Sequence, residues 1–142
     1  MTALKDFAET SLYSSRIVRN REITAQAVLS GLLDAYLPLT ISNGARFDKA
    51  LAGKTKDDDG RPIGRDSSLI GRISRKYLAV YREALRLDKQ NLDGDTGVQK
   101  VMERIHRMRL VVDYISGMTD EFALQSFQLV SGVHVDPYRN EN

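Results

Sequence analysis

Apolar residues recur every three or four positions along most of the chain, the spacing that places them on one face of an α-helix. The clearest segment begins after Asn20, a favourable N-cap, and ends near Pro38. Its expected buried positions share this period: Ile23, Ala27, Val28, Leu32, Ala35 and Tyr36. The pattern therefore predicts a helix of about five turns.

Two further long helices are predicted by the same spacing. One is opened by Asp66 or Ser67 and runs through "SLIGRISRKYLAVYREALRL". The other is capped by Asp95 or Thr96 and runs through "GVQKVMERIHRMRLVVDYI". The expected buried face of this last helix comprises Val98, Val101, Met102, Ile105, Met108, Val112 and Ile115.

Shorter segments complete the helical pattern. A short helix is predicted within "ALKDFAETSLYSS", another within "ISNGARFDKALAG", and a last one is capped by Thr119 and stopped by Gly132. Turn residues mark loops near residues 53–65 and 88–95. We predict an all-α bundle of about five helices, with at most one short extended segment near residues 12–18.

Length, charge and residue usage limit the functional classes. The 142 residues suit one helical domain, residues 1–142, and 21 basic against 19 acidic residues leave a net charge of only +2. No apolar run has the roughly 20 residues that a membrane span needs, so we expect a cytoplasmic protein without a membrane partner. There is no cysteine, and the two histidines cannot build an imidazole-rich metal site. We expect no catalytic residue and no metal ligand in this chain.

One cationic pattern supports an alternative function. Arg72, Arg75 and Lys76 have i, i+3, i+4 spacing and would form one positive stripe on a continuous helix. Such a stripe could bind a triphosphate or a nucleic-acid backbone, or it could simply be a solvated helix face. A stand-alone helical module that binds nucleic acid or a protein therefore remains as an alternative.

The stretch "DYISGMTDEFAL", residues 113–124, interrupts a strong helical pattern with Gly117, Thr119 and Asp120. This stretch closely resembles the C-terminal signature of the dGTPase-like deoxynucleoside triphosphate triphosphohydrolases, which belong to the HD-domain superfamily. "LYSSRIVRNREITAQAVLSGLLDAYLPL" and "SRKYLAVYREAL" resemble two upstream segments of that family in the same order. The resemblance covers roughly residues 4–132, with Phe122 in place of the usual Tyr.

The resemblance implies an activity and also a missing part. Family members hydrolyse a dNTP to a deoxynucleoside and tripolyphosphate, and they are usually oligomers, so we expect a homo-oligomer. They use a divalent metal, Mg or Mn, held by a His…His-Asp…Asp set that precedes the signature. This sequence contains no "HD" pair. We therefore expect the C-terminal part of a longer enzyme, inactive alone, that acts on a dNTP, most simply dGTP, together with an HD core.

The same resemblance supplies candidate substrate-binding residues. Tyr13 matches an aromatic position beside the purine, and Glu22 matches an acidic position that can accept hydrogen bonds from guanine. Arg65 and Arg72, which flank Ser68, lie near the place from which basic residues reach the phosphates. The alternatives are a core aromatic for Tyr13 and a helix-dipole contact for Glu22.

The signature itself favours a structural role. We expect Tyr114 and Met118 to face the bundle. We expect Asp113 and Asp120 to bind backbone amides or arginines, with Thr119 as the cap of the last helix.

Overall fold

The computed structural model describes residues 16–91 and 96–133, and within them it contains six helices and no strand. The helices are α1 (Arg16–Ile41), α2 (Gly44–Leu51), α3 (Gly64–Arg72), α4 (Arg75–Asn91), α5 (Thr96–Ser116) and α6 (Asp120–Val130). The all-α prediction is confirmed. The predicted first helix and Tyr13 lie outside the described residues. The loop predicted near residues 88–95 is wrong for residues 88–91, which belong to α4, and residues 92–95 are not described. Among the described helices, none is both long and apolar enough to cross a lipid bilayer.

Helix α1 is longer at both ends than the sequence predicted. It already includes residues 16–18, so the extended segment expected near residues 12–18 is wrong for that part, and residues 12–15 are not described. At the other end it continues past Pro38 to Ile41. Leu39 and Thr40 are buried there, and the Thr40 hydroxyl donates to the Leu37 carbonyl oxygen at 2.8 Å. Burial of this last turn outweighs the backbone hydrogen bond that proline removes.

Helix α2 and the following loop are fixed by local polar contacts. The Asn43 side chain caps α2 by accepting the Arg46 N–H at 2.7 Å. In the loop, Asp57 Oδ1 accepts the Arg61 N–H at 2.8 Å, and the Ile63 N–H donates to the Thr55 oxygen at 2.8 Å. These bonds organise the acidic, glycine-containing segment into a turn and bury Ile63 before α3 begins.

The long helix predicted from Asp66 or Ser67 onward is in fact two helices. It begins earlier, at Gly64, and breaks after Arg72, because Ile73 adopts an extended conformation with φ −69° and ψ 125°. This conformation buries the Ile73 side chain, and the Ser74 oxygen then accepts the Tyr77 and Leu78 N–H groups as α4 starts. The helical period of apolar residues does not reveal that a single residue leaves the helix to fill the core.

The described chain forms two compact units, and the larger one runs from Leu33 to Met118. In it, α4 packs along α5, while α2 contacts both α3 and α5. Its core is aromatic and aliphatic: Tyr36, Leu39, Phe47, Ile63, Ile70, Ile73, Tyr81, Leu110 and Tyr114. Edge-to-face contacts join Phe47 to Tyr81 with ring centroids 5.6 Å apart.

The other unit, over its described residues, contains residues 16–32 and 119–133. Here the Phe127 ring of α6 lies against the backbone of Gly31 in α1. Val28, Leu32, Ala123 and Ser126 are buried in this unit. The single-domain assignment for residues 1–142 stays a prediction.

The buried face of α5 differs from the predicted one. Of the predicted positions, Ile115 is buried, but Val101, Ile105, Met108 and Val112 are about half exposed. The side chains that α5 buries instead are those of Arg107, Leu110, Val111 and Tyr114, together with Ile115. Helix α5 is therefore apolar on two sides, and the core formed by the described residues covers one of them.

Candidate functional site

The candidate anion-contact surface is one face of α3, formed by Arg65, Ser68 and Arg72. All three residues are exposed, and their i, i+3, i+7 spacing aligns them along about 10 Å of the helix. The sequence predicted Arg65 in the preceding loop, but Arg65 lies in the first turn of α3. The Ser68 hydroxyl donates to the Gly64 carbonyl oxygen at 2.8 Å. Two guanidinium groups on one exposed face suit an anion with several oxygens.

The predicted stripe of Arg72, Arg75 and Lys76 is wrong. Arg72 is the last residue of α3, whereas Arg75 and Lys76 begin α4. The extended Ile73 between the two helices removes the i, i+3, i+4 register that the stripe requires. Lys76 lies instead over its neighbour, with its Nζ 4.9 Å from the centroid of the Tyr77 ring.

The remaining base-contact candidate, Glu22, lies on α1 and is exposed. It makes no ion pair with a side chain that the structure describes, so its carboxylate is accessible to a ligand or partner. Tyr13 lies outside the described residues. Of the four predicted substrate-binding residues, the structure brings Arg65 and Arg72 together on one surface.

The signature segment has the geometry of a helix end followed by a helix start. The Gly117 N–H donates to the Asp113 oxygen at 3.1 Å, and the Met118 N–H donates to the Ile115 oxygen at 3.2 Å. The Thr119 hydroxyl accepts the Phe122 N–H at 3.3 Å and caps α6. Asp120 lies exposed in the first turn of α6, so Thr119 and not Asp120 is the side chain that holds a backbone amide.

Tyr114 connects the signature to the core. Its ring makes edge-to-face contacts with Tyr36 and Tyr77, at centroid distances of 5.7 and 6.0 Å. The Tyr77 hydroxyl lies so close to Gly117 that a Cβ there would be 2.0 Å from the hydroxyl oxygen. Met118 is half-buried, and Asp113 lies 3.6 Å from Arg109 Nε. These contacts make Gly117 the position that lets α4 and α5 approach closely.

A buried arginine on α5 was missed by the sequence analysis. Arg107 Nη1 donates to the Leu39 and Ser42 carbonyl oxygens at 3.0 and 2.7 Å, and Nε lies 2.7 Å from Glu103 Oε1. The available signal was its position four residues after Glu103 and seven before Tyr114, which places all three on one face. Arg107 therefore anchors the end of α1 to α5.

Glu103 extends this buried network to α4. Its Oε1 accepts the Tyr81 hydroxyl at 2.8 Å. Burial, followed by this hydrogen bond to a carboxylate, raises the pKa of Tyr81 far above its ordinary value, so the phenol stays a proton donor. Burial likewise raises the pKa of Asp48, and the negative charge of Glu103 adds to the effect.

A groove of about 510 Å³ lies between α4 and α5. Tyr77, Val80 and Ala84 line it from α4, Arg109 lines it from α5, and Gly117 lines it just after α5 ends. At one side, His106 Nε2 lies 2.8 Å from Asp88 Oδ2 and joins the two helices. Among the residues that the structure describes, no group of three or more His, Asp or Glu side chains could hold a metal ion.

Comparison with known proteins finds sequence similarity to one domain model and to one class of enzyme. Residues 73–129 match the phosphohydrolase-associated domain. Over 129 residues, 91% of this chain, the sequence is 30% identical to the deoxyguanosinetriphosphate triphosphohydrolase of Enterobacter sp. (strain 638) and covers 24% of it. The enzyme of the same name from Yersinia pestis (strain Pestoides F) is 31% identical over 124 residues, 87% of this chain and 23% of that protein.

The chain thus spans about a quarter of the length of the curated relatives it matches. The matched domain includes all of α4, α5 and the signature segment, so it contains the groove together with Tyr81, Glu103 and Arg107. Residues 73–129 of the chain therefore resemble a phosphohydrolase-associated domain, and the chain as a whole is similar to about a quarter of a deoxyguanosinetriphosphate triphosphohydrolase.

Proposed function

We propose that the chain is the C-terminal helical portion of a dNTP triphosphohydrolase, which converts a dNTP to a deoxynucleoside and tripolyphosphate. In this proposal the chain contributes base recognition and oligomer contacts. An HD-bearing portion supplies the metal site, with Mg or Mn as its ion. The observation that carries the proposal is the similarity over 91% of this chain to proteins named for dGTP triphosphohydrolysis.

Two surfaces have the chemistry that these roles need. The α3 face presents the Arg65 and Arg72 guanidinium groups to solvent, where they can pair with phosphate oxygens. The exposed Glu22 carboxylate is an acceptor that suits the N1–H and amino group of guanine, and Tyr13 is the residue for stacking on the base. dGTP is the nucleotide that fits this acceptor best.

Nucleotide selectivity tests the role of Glu22 in the assembly of this chain with an HD-bearing polypeptide. Because Glu22→Gln loses a charged acceptor that only guanine needs, KM for dGTP should rise about 10-fold while KM for dTTP stays constant. Asp34→Asn is the matched control, since Asp34 is an exposed acid on the same helix. Equal changes for both nucleotides, or none, would contradict base recognition by Glu22.

The arginine face is tested by the opposite pattern. Arg65→Ala and Arg72→Ala should each raise KM for every dNTP by about 10-fold, because phosphate contacts do not distinguish bases. Arg82→Ala, an exposed arginine on α4, is the control. Unchanged KM values in both α3 variants would show that this face does not bind the triphosphate.

The alternative of a stand-alone nucleic-acid module stays a prediction, but the structure does not contain the continuous cationic helix face that it assumed. It depended on a continuous stripe of Arg72, Arg75 and Lys76, and the break at Ile73 places these cations on two helices. In the protein-binding form of that alternative, the partner would bind the exposed apolar surface of α5.

A further inference from the structure

Helix α5 carries an apolar row that its own unit leaves in water. Val101, Ile105, Met108 and Val112, here called the α5 stripe, follow one another at spacings of four, three and four residues. Their exposed fractions are 59%, 47%, 49% and 54%. The spacing places them on one face, turned away from the side where Arg107, Leu110 and Tyr114 are buried.

A contiguous apolar row of this length differs from the scattered exposed apolar residues of any soluble surface. The side of α5 that faces the core buries five side chains, and none of them belongs to the α5 stripe. Rows of this kind, bordered by polar residues, mark surfaces that bind another polypeptide.

The charges beside the α5 stripe indicate the chemistry of its occupant. Arg104 and Arg109 are exposed on its two sides. Arg109 lies 3.6 Å from Asp113, and Arg104 has no ion pair with any described residue. Two copies of the α5 stripe placed face to face would bring these guanidinium groups together, which disfavours self-association. An amphipathic helix with acidic residues along its apolar face is complementary.

The comparisons indicate where such a helix would come from. The family of residues 73–129 is described as phosphohydrolase-associated, and the chain covers only 24% of the Enterobacter relative. About three quarters of a protein of that length is therefore polypeptide other than this chain, and under the proposed function a surface of this chain contacts it. Resting on the proposed function, we propose that the α5 stripe is the docking surface for an acid-flanked amphipathic helix of the HD-bearing portion.

Site-specific thiol labelling provides the test, because the chain has no cysteine of its own. Ile105→Cys and Met108→Cys place a thiol on the α5 stripe, and Leu87→Cys places one at a comparably exposed position on α4. Each variant is labelled with a maleimide, alone and with a purified HD-bearing polypeptide from the same genome. Sedimentation velocity records complex formation, and circular dichroism confirms the helical fold of each variant.

Docking should slow labelling at both stripe positions by at least about 10-fold while the Leu87→Cys rate stays constant. Ile105→Asp should weaken the complex by at least about 10-fold, because a carboxylate would replace apolar contact area and repel the acidic residues of the docked helix. Arg104→Glu should also weaken it, whereas the control Arg82→Glu should not.

Three results would overturn the proposal: no complex at any concentration, a complex in which the stripe thiols label at their free rate, or protection that grows with the chain's own concentration. The last result would identify a second copy as the occupant. A protected complex that releases no tripolyphosphate from dGTP would leave docking intact and refute only the proposed function. Release of tripolyphosphate by a complex whose α5 stripe is not protected would refute docking at the α5 stripe and leave the proposed function intact.

Discussion

Replacing Arg107 with alanine should destabilise the fold more than any surface change in this chain. The guanidinium is 3% exposed, and it satisfies the Leu39 and Ser42 carbonyl oxygens at 3.0 and 2.7 Å. It also neutralises Glu103, whose Oε1 lies 2.7 Å from Nε. The truncation would leave two carbonyl oxygens without this donor and one partly buried carboxylate without its counter-ion.

The expected cost follows from these losses. Removing one member of a buried ion pair lowers the free energy of unfolding by about 3–5 kcal/mol. This figure already includes the lost hydrogen bonds to the charged group. A domain of this size has about 5–15 kcal/mol of total stability. The Arg107→Ala variant should therefore lose about 3–5 kcal/mol and stand close to the limit of folding.

Urea unfolding followed by far-UV circular dichroism measures this loss. With a slope of about 2 kcal/mol per molar urea, the midpoint should fall by about 2 M. Arg104→Ala is the matched control, since it removes an exposed arginine from the same helix and should change stability by less than about 0.5 kcal/mol. A loss below about 1 kcal/mol for Arg107→Ala would refute the assignment of Arg107 as the anchor of α1 on α5.

Three smaller perturbations test other parts of the structure. Gly31→Ala should cost about 1–3 kcal/mol in thermal unfolding, because its Cβ would lie 2.2 Å from Phe127 Cε2, and an added Phe127→Ala change should remove most of this strain. Thr119→Ala should lower the free energy of unfolding by about 1 kcal/mol because the N-cap is lost, and Asp120→Ala should lower it by less. A lower melting temperature for Asp120→Ala than for Thr119→Ala would show that Asp120 is the capping residue. The pKa of Asp48 is raised on folding, so its ionisation opposes folding as pH rises above its ordinary value of 3.8. Asp48→Asn should therefore stabilise the chain at pH 7 and not at pH 3, and an equal gain at both pH values would contradict that raised pKa.

The helical content could be predicted because the period of apolar residues and the capping residues agree. Asn43 and Thr119 each sit before an apolar-periodic segment, and both side chains accept the backbone N–H three residues on. Such local signals act within one helical turn. They did not set every helix start, because the predicted caps Asn20, Asp66 and Ser67 lie inside α1 and α3.

The packing partners of each helix could not be predicted from period alone. Helix α5 has apolar residues on two sides, and the sequence analysis selected the α5 stripe as the buried one. The structure buries the other side, because Tyr114 and Leu110 meet core aromatic residues there and Arg107 finds carbonyl oxygens at the end of α1. A cation is expected on the surface unless its partners are known, and these partners are 65 and 68 residues away along the chain.

The candidate site was predictable only in part, for a related reason. Arg65 and Arg72 share a face because α3 is continuous between them, whereas Arg75 and Lys76 lost their register when Ile73 turned into the core. Glu22 and Tyr13 were selected through family resemblance, and their roles in binding the base stay predictions. Surface residues carry little signal of their own, since packing does not constrain them.

Tripolyphosphate release from dGTP tests the central claim most directly. The purified 142-residue chain, supplied with Mg²⁺ or Mn²⁺, is measured alone and then together with a purified HD-bearing polypeptide from the same genome. The account predicts no release by the chain alone, and release by the mixture that exceeds the activity of the HD-bearing polypeptide by itself. Turnover by the chain alone, or a mixture no more active than the HD-bearing polypeptide, would contradict it.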